Sequence, residues 1–296
     1  MLNRGGGRYG VRTDDGGDRE ASLRGRVKQR EVRGVLVGDR VRLALDGEDA
    51  TIEEILPRRS VLQRRSPGQA RGTRQVAANL DQVIVVGSAV DPAWDPAMID
   101  RFVVVAEANH LPVHLVVNKI DLDAGWTLLA IPYTHAGYDV LGTSAHDGSG
   151  IADLLTLMRG HVSLFTGPTG VGKSSLGNAV EPGLALRTGE VSTKSRAGRH
   201  TTVTAEMHAL TGGGFLVDTP GLRDIGLWGL TAPEVLGAFP EIASLAQSCR
   251  FDDCRHDVEP RCAVRAAVDA GTLARSRYTS FRRLLAEALE AGRWWE

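Results

Sequence analysis

The sequence predicts three modules: a small N-terminal β-barrel, a central α/β domain with a parallel sheet, and a C-terminal α-helical module built round a metal. Three observations predict them. Short strand-like runs broken by turn residues occupy about 9 to 57, and buried apolar runs alternate with helical periodicity from about 80. All three cysteines fall between 249 and 262, where strand patterns have ended. At 296 residues the chain can bury such cores without disulfides. The expected boundaries are 1–65, 76–230 and 231–296.

In the first module Gly10-Val11-Arg12 precedes the turn Asp14-Asp15-Gly16-Gly17. Val35-Leu36-Val37, Arg40-Val41-Arg42-Leu43 and, after Asp46-Gly47, Ala50-Thr51-Ile52 follow. Runs this short, punctuated this often, read as about five strands of a small barrel, and an OB-like fold suits a basic one. The short stretch Met1 to Gly10 leaves that barrel incomplete at its N-terminus. Residues 58–75, with Arg58-Arg59, Arg64-Arg65 and Ser66-Pro67-Gly68, read as a charged linker. Net charge is only −1, but Arg19 to Arg74 holds fourteen basic against eight acidic residues, and Arg261 to Glu296 seven against four. Two basic ends flanking an acidic middle suit contact with a polyanion; solvated surface arginines would give the same counts.

From Gln82 the pattern is that of a parallel sheet covered on both faces. Strands are expected at Gln82 to Gly87, Val113 to Asn118, Tyr138 to Thr143, Val162 to Thr166, near Val203 to Leu210, and at Phe215 to Asp218. Helices are expected at Pro96 to Asn109, Ile151 to Met158 and Lys173 to about Val180, with a polar stretch from Arg187 to Thr201. Beyond Ala232 helical spacing takes over, with Tyr278, Phe281, Leu284, Leu285 and Leu289 on one face of a last helix.

A strand running into Gly167-Pro168-Thr169-Gly170-Val171-Gly172-Lys173-Ser174-Ser175 and then a helix is the context of a phosphate-cradling loop. Its glycines let successive N–H groups face phosphate oxygens, the helix N-terminus adds positive potential, Lys173 bridges the terminal phosphates and Ser174 ligates Mg²⁺. Such a loop does not separate ATP from GTP. Asn118-Lys119-Ile120-Asp121 does, because the acceptor-only Asp121 carboxylate matches two adjacent donors that guanine has and adenine lacks. After another strand, Thr143-Ser144-Ala145 can offer a backbone N–H to the guanine oxygen. Asp218-Thr219-Pro220-Gly221 ends a further strand, where Asp218 can hold the Mg²⁺ water shell and Gly221 can turn toward a γ-phosphate.

The order of these motifs is informative. In Ras-like GTPases the phosphate loop comes first, whereas here Asn118 and Ser144 precede Gly167, so the domain is expected to be circularly permuted. Leu222 occupies the place of the water-orienting glutamine and cannot bind water. Gly198-Arg199-His200-Thr201-Thr202 then offers His200 to position the water and Thr202 as a further Mg²⁺ ligand, with packing or RNA contact as the alternative role for His200. Cys249, Cys254, His256 and Cys262 supply three thiolates and an imidazole, the donor set of a closed structural Zn²⁺ site, with three core cysteines as the alternative. The glycine-rich, charged Met1 to Gly17 is unlike a signal peptide, and no apolar run reaches the roughly 18 residues of a membrane span. A soluble cytoplasmic monomer without membrane contact is expected.

Together these residues resemble the ribosome small-subunit-dependent GTPases of the RsgA type, from about Gly34 to the last helix. Pro57-Arg58-Arg59-Ser60, Asn118-Lys119-Ile120-Asp121, the phosphate loop, Gly198-Arg199-His200-Thr201-Thr202 and the cysteine–histidine cluster carry the resemblance. It implies an OB-fold, a permuted GTPase domain and a zinc-binding helical domain. It further implies GTP and GDP binding, attachment to the small ribosomal subunit and its rRNA during late assembly, hydrolysis stimulated by that subunit, and release afterwards. A competing reading is a GTP-gated RNA-binding module whose hydrolysis is incidental. An ATP-using enzyme is a third.

Overall fold

The computed structural model describes residues 1–5, 7–25, 34–47, 49–65, 73–186, 205–219 and 230–293. Its first sheet contains β1 (Asn3–Gly5), β2 (Arg8–Arg12), β3 (Asp18–Leu23), β4 (Val41–Asp46) and β5 (Asp49–Ile55), in the order β1-β2-β3-β5-β4. Neighbours are antiparallel except β3 and β5, which run parallel. Met1, Val11, Ala21, Val35, Ala50 and Ile52 are buried together against it. A short strand therefore does form inside Met1 to Gly10. Asp18–Leu23 went unread because its one buried residue is Ala21, too small to mark an alternating pattern. Val35-Leu36-Val37, expected as a strand, is buried but joins no sheet beyond a single bridge from Val37 to Ala77.

Residues 58–75 are not simply a linker. β6 (Val61–Arg65) and β7 (Thr73–Ala78) pair antiparallel, with Leu62 and Ala77 reaching into the main core. Arg58, counted above as a basic contact residue, is taken up internally. Its guanidinium donates to both oxygens of the buried Asp39 carboxylate, at 2.7 and 2.9 Å, and to Gln75 Oε1 and the Gly34 carbonyl at 2.9 Å each. Asp39 in turn accepts from the Leu36 N–H at 2.7 Å. Arg8, Arg12 and Arg42 are likewise paired, with Glu20, Asp18 and Glu54.

The main sheet holds β8 (Gln82–Ser88), β9 (Val113–Asn118), β10 (Asp139–Gly142), β11 (Val162–Thr166), β12 (Glu206–Ala209) and β13 (Phe215–Asp218), ordered β10-β9-β8-β11-β13-β12. All pairs are parallel but β12 with β13. β8 is buried at every residue, as a strand covered on both faces must be. The helices are α1 (Pro96–Glu107), α2 (Thr127–His135), α3 (Ile151–Met158) and α4 (Lys173–Val180). The Asp95 carboxylate caps α1 by accepting from the N–H groups of Ala97 and Met98, with Pro96 in the first turn where its missing N–H costs nothing. The edge strand β12 is covered by the first sheet, Met207 N–H donating to the Leu2 carbonyl at 2.8 Å.

At the C-terminal end lie α5 (Ala232–Gly237), α6 (Pro240–Ala246), α7 (Ala263–Asp269) and α8 (Arg275–Arg293). Thr231 and Glu234 close a reciprocal capping box at the start of α5. Phe281, Leu284, Leu285 and Ala288 form the buried face of α8, in the same apolar cluster as Phe102, Val103 and Val104 of α1. One further residue on α8 is buried against expectation: Arg277, counted above among basic ends. Its guanidinium bonds Asp100 on α1 and Glu241 on α6, so it joins the C-terminal helices to the main sheet rather than facing a polyanion.

Candidate functional site

The parallel strands deliver the sequence motifs to one edge. β11 ends at Thr166, beside Val85 of β8; β9 ends at Asn118, beside Ser88; and β13 ends at Asp218, one residue past the Leu164 to Val217 pairing. Ligands of open parallel sheets bind beyond such strand ends, where loops are free to diverge.

Gly167 follows β11 with φ +139 and Gly172 precedes α4 with φ +96, values that side chains rarely adopt. Space demands glycine as well as angle. A Cβ on Gly167 would overlap the Val86 carbonyl oxygen, and one on Gly172 would overlap the Asn118 amide. The Lys173 ammonium donates back to the carbonyls of Gly167 and Pro168, at 2.7 and 2.6 Å, which places it over the loop. Ser174 and Ser175 follow in the first turn of α4, and Pro168, Thr169, Gly170 and Val171 complete the loop.

Asn118 ties the two halves of the site together. Buried at the end of β9, its amide donates to the Val171 carbonyl at 2.8 Å, while its side-chain oxygen accepts from the Thr143 hydroxyl at 3.2 Å. Lys119 sits in the left-handed region at φ +62, and its ammonium donates to the Asp91 carbonyl. Asp121 lies in the short turn Ile120–Leu122, with its carboxylate 3.9 Å from His146 Nδ1. The Ser144 N–H bonds the Ser149 carbonyl at 2.9 Å, and its hydroxyl accepts from His146 and Asp147 N–H groups at 3.2 Å each. Ala145 follows at the same edge. Ser174 lies in the first turn of α4 and Asp218 ends the strand next to β11, two oxygen ligands of the kind a hard cation takes. His200, Thr202, Gly221 and Leu222 lie outside the described residues.

Sequence reading missed the Ser88 to Asp95 connection, whose main chain contacts Lys119. A carbonyl contact leaves no residue-type signal. It also missed Thr143 as the partner of Asn118, although Thr143 was in view as part of the third motif. Because Gly172 meets Asn118 so closely, Gly172→Ala is expected to weaken nucleotide binding at least tenfold, an estimate that treats a strained loop as about 1.4 kcal/mol or more. Titration with a fluorescent GDP analogue checks it.

A second cluster lies between α6 and α7. One ligand atom each from Cys249, Cys254, His256 and Cys262 falls within 4.8 Å of the others. His256 Nδ1 is 3.5 Å from Cys249 Sγ and 3.4 Å from Cys262 Sγ, and the two sulfurs are 3.9 Å apart. Ligands at 2.0 to 2.3 Å on tetrahedral corners stand roughly 3.3 to 3.8 Å from one another, so the cluster fits a metal ion with little movement. Burial lowers the pKa of the His256 imidazole below its ordinary range, which favours the neutral form. Its carbonyl accepts from the Tyr278 hydroxyl at 2.7 Å, fixing the loop to α8.

A glycine loop leading from a central parallel strand into a helix, joined through Asn118 to an N-K-x-D turn that precedes it in the chain, defines a class: GTP hydrolases with circularly permuted motifs. The family model described as RsgA GTPase matches residues 55–228. A small ribosomal subunit biogenesis GTPase RsgA of Gemmatimonas aurantiaca is 49% identical, over 96% of this chain and 95% of its own. A like-named protein of Moorella thermoacetica is 41% identical, over 98% and 96%. The crystal structure of YjeQ from Thermotoga maritima superposes with a TM-score of 0.79 at 33% identity, covering 97% of this chain and 96% of the other. That of YloQ, a circularly permuted GTPase, gives 0.75 at 30%, covering 98% and 94%. The chain belongs to the RsgA GTPase family and is a GTP hydrolase. Among the described residues no helix is long and apolar enough to cross a membrane.

Proposed function

We propose that this GTPase acts in the cytoplasm on the small (30S) ribosomal subunit late in its assembly, binding its rRNA, hydrolysing GTP when the subunit stimulates it, and then leaving. The observation that carries the proposal is the convergence of Asn118, Gly172 and Lys173 at one sheet edge, joined to a chain like the G. aurantiaca relative over nearly its whole length. In this reading Asp121 recognises the guanine donors. Since the Ser144 N–H already bonds Ser149, the donor to the guanine oxygen falls to Ala145. Main-chain N–H groups between Gly167 and Ser175, of which Pro168 has none, cradle the phosphates, Lys173 leaves its two carbonyls for the terminal phosphates, and Gly221 turns toward the γ-phosphate. Mg²⁺ held by Ser174, Thr202 and Asp218 would neutralise charge developing between the β- and γ-phosphates. With Leu222 unable to bind water, His200 positions the attacking water.

The finer architecture follows the same reading. Residues 1–65 form an OB-like barrel, residues 76–230 the permuted GTPase domain, and residues 231–296 a helical domain around one structural Zn²⁺ held by Cys249, Cys254, His256 and Cys262. The protein works as a monomer. Turnover measured with and without purified small subunits tests the function. Stimulation by small and not by large subunits is expected, and equal rates would favour the GTP-gated binding module. His200→Ala should lower stimulated turnover on the order of 10²-fold with subunit binding retained. Unchanged turnover removes His200 from the mechanism.

A further inference from the structure

The connection between β8 and α1, residues 89–95, belongs to none of the recognised motifs, yet its contacts run to two of them. The Ala89 N–H donates to the Asn118 carbonyl at 2.9 Å, and the Asp91 carbonyl accepts from the Lys119 ammonium. The Pro92 ring lies against the phosphate loop, 3.4 Å from where a Cβ on Gly170 would stand. Two non-glycine residues in the left-handed region, Asp91 at φ +43 and Lys119 at φ +62, thus meet through one charge-assisted hydrogen bond. Such backbone persists only where the surroundings hold it.

What holds it can be named. Ser88, 1% exposed at the end of β8, donates its hydroxyl to the Pro92 carbonyl at 2.7 Å and closes the connection on itself. At the far end the Trp94 ring lies over Gly87, where a Cβ would overlap it, and meets Tyr133 edge-on with centroids 5.5 Å apart. The Asp91 carbonyl is therefore fixed between a hydrogen bond and a packed indole.

We propose that Ser88 is a positioning residue for guanine-nucleotide recognition, holding the 89–95 connection closed so that the Asp91 carbonyl pre-orders Lys119 beside the base. The proposal rests on the reading of Asn118-Lys119-Ile120-Asp121 as the guanine reader. A free lysine stem samples many rotamers, and ordering it in advance removes that loss from the binding step. Asp91 acts through its main chain, so its side chain is not part of the device.

The test is a double-mutant cycle read by titration of a fluorescent GDP analogue against the full chain. Ser88→Ala is expected to raise the GDP dissociation constant about three- to tenfold. Ser88→Thr, which keeps the donor, restores affinity. In a Lys119→Ala background, Ser88→Ala has no further effect. Should the alanine variant be unstable in a thermal melt, Ser88→Cys, of similar shape with a weak donor, carries the same comparison. Equal weakening in both backgrounds would make Ser88 a structural residue only and overturn the proposal. Lys119→Ala binding GDP as tightly as the parent would instead overturn the guanine-site reading itself.

Discussion

Replacing Arg277 by Met is expected to destabilise the protein by about 3–5 kcal/mol, because it leaves two partner carboxylates at a buried junction without their cation. The guanidinium, 1% exposed, donates to Glu241 Oε1 at 2.8 Å and to Asp100. Its carbon lies 4.4 Å from the Phe239 ring centroid and 5.2 Å from that of Tyr133. Met fills similar volume, so loss of packing is small beside loss of charge. Burial raises the Asp100 carboxyl above its ordinary range, and Arg277 pulls it back down. Without Arg277 it rises further. A carboxyl with a raised folded-state pKa favours the folded state at low pH, and that advantage fades as pH rises through the folded pKa. The stability deficit of Arg277→Met should therefore be greatest near neutrality and shrink on acidification. Thermal midpoints at neutral and acidic pH measure it, with a drop on the order of 10 °C expected near neutrality. Arg277→Met with Asp100→Asn should cost less than the sum of the two single changes. An unchanged midpoint would mean the ion pairs contribute nothing.

Arg277 also marks where sequence reading stops. Counted by charge, it belongs to a basic end; its burial depends on Asp100, 177 positions away, and Glu241. No local pattern records such a pairing, and Arg58 with Asp39 is the same case at the other end. The parallel strands were legible for the opposite reason. Covered on both faces, Gln82–Ser88, Val113–Asn118 and Val162–Thr166 read as mostly apolar runs without alternation. α2 was missed because Pro132 interrupts it while Leu128 and Ile131 face solvent, and its apolar residues mark no single buried face. β6 and β7 were missed because Arg64, Arg65 and Arg74 interrupt their apolar pattern. The nucleotide motifs are contiguous stretches whose chemistry lies in residue types, so they could be located; the 89–95 connection acts through carbonyls and could not.

Removing the metal proposed for the cysteine–histidine cluster is expected to undo the C-terminal helices while the main sheet stays folded. Between Ala246 and Ala263 no helix or strand forms, and the stretch is held by the cluster together with bonds from Tyr278 and Arg282 of α8 to the carbonyls of His256 and Arg255. His256 and Arg261 both hold φ +59, a left-handed geometry that a free loop of this length would relax. Cys262 Sγ additionally accepts from the Arg265 N–H at 3.5 Å, so the same sulfur that faces the cluster starts α7. Apparent binding energies of about 10–16 kcal/mol for structural zinc act as folding energy, far more than a short loop can replace. Elemental analysis should find one zinc per chain. A strong chelator, or Cys254→Ala, should expose 247–262 to protease and lower helical content, with GDP binding retained because Val171 and Leu176 of the phosphate loop and α4 pack in a different apolar cluster from the C-terminal helices. Absence of bound metal, or an unchanged protease pattern after chelation, would return the three cysteines to the role of core residues. Loss of GDP binding together with the metal would show instead that the Arg277 junction carries the disorder across into α1.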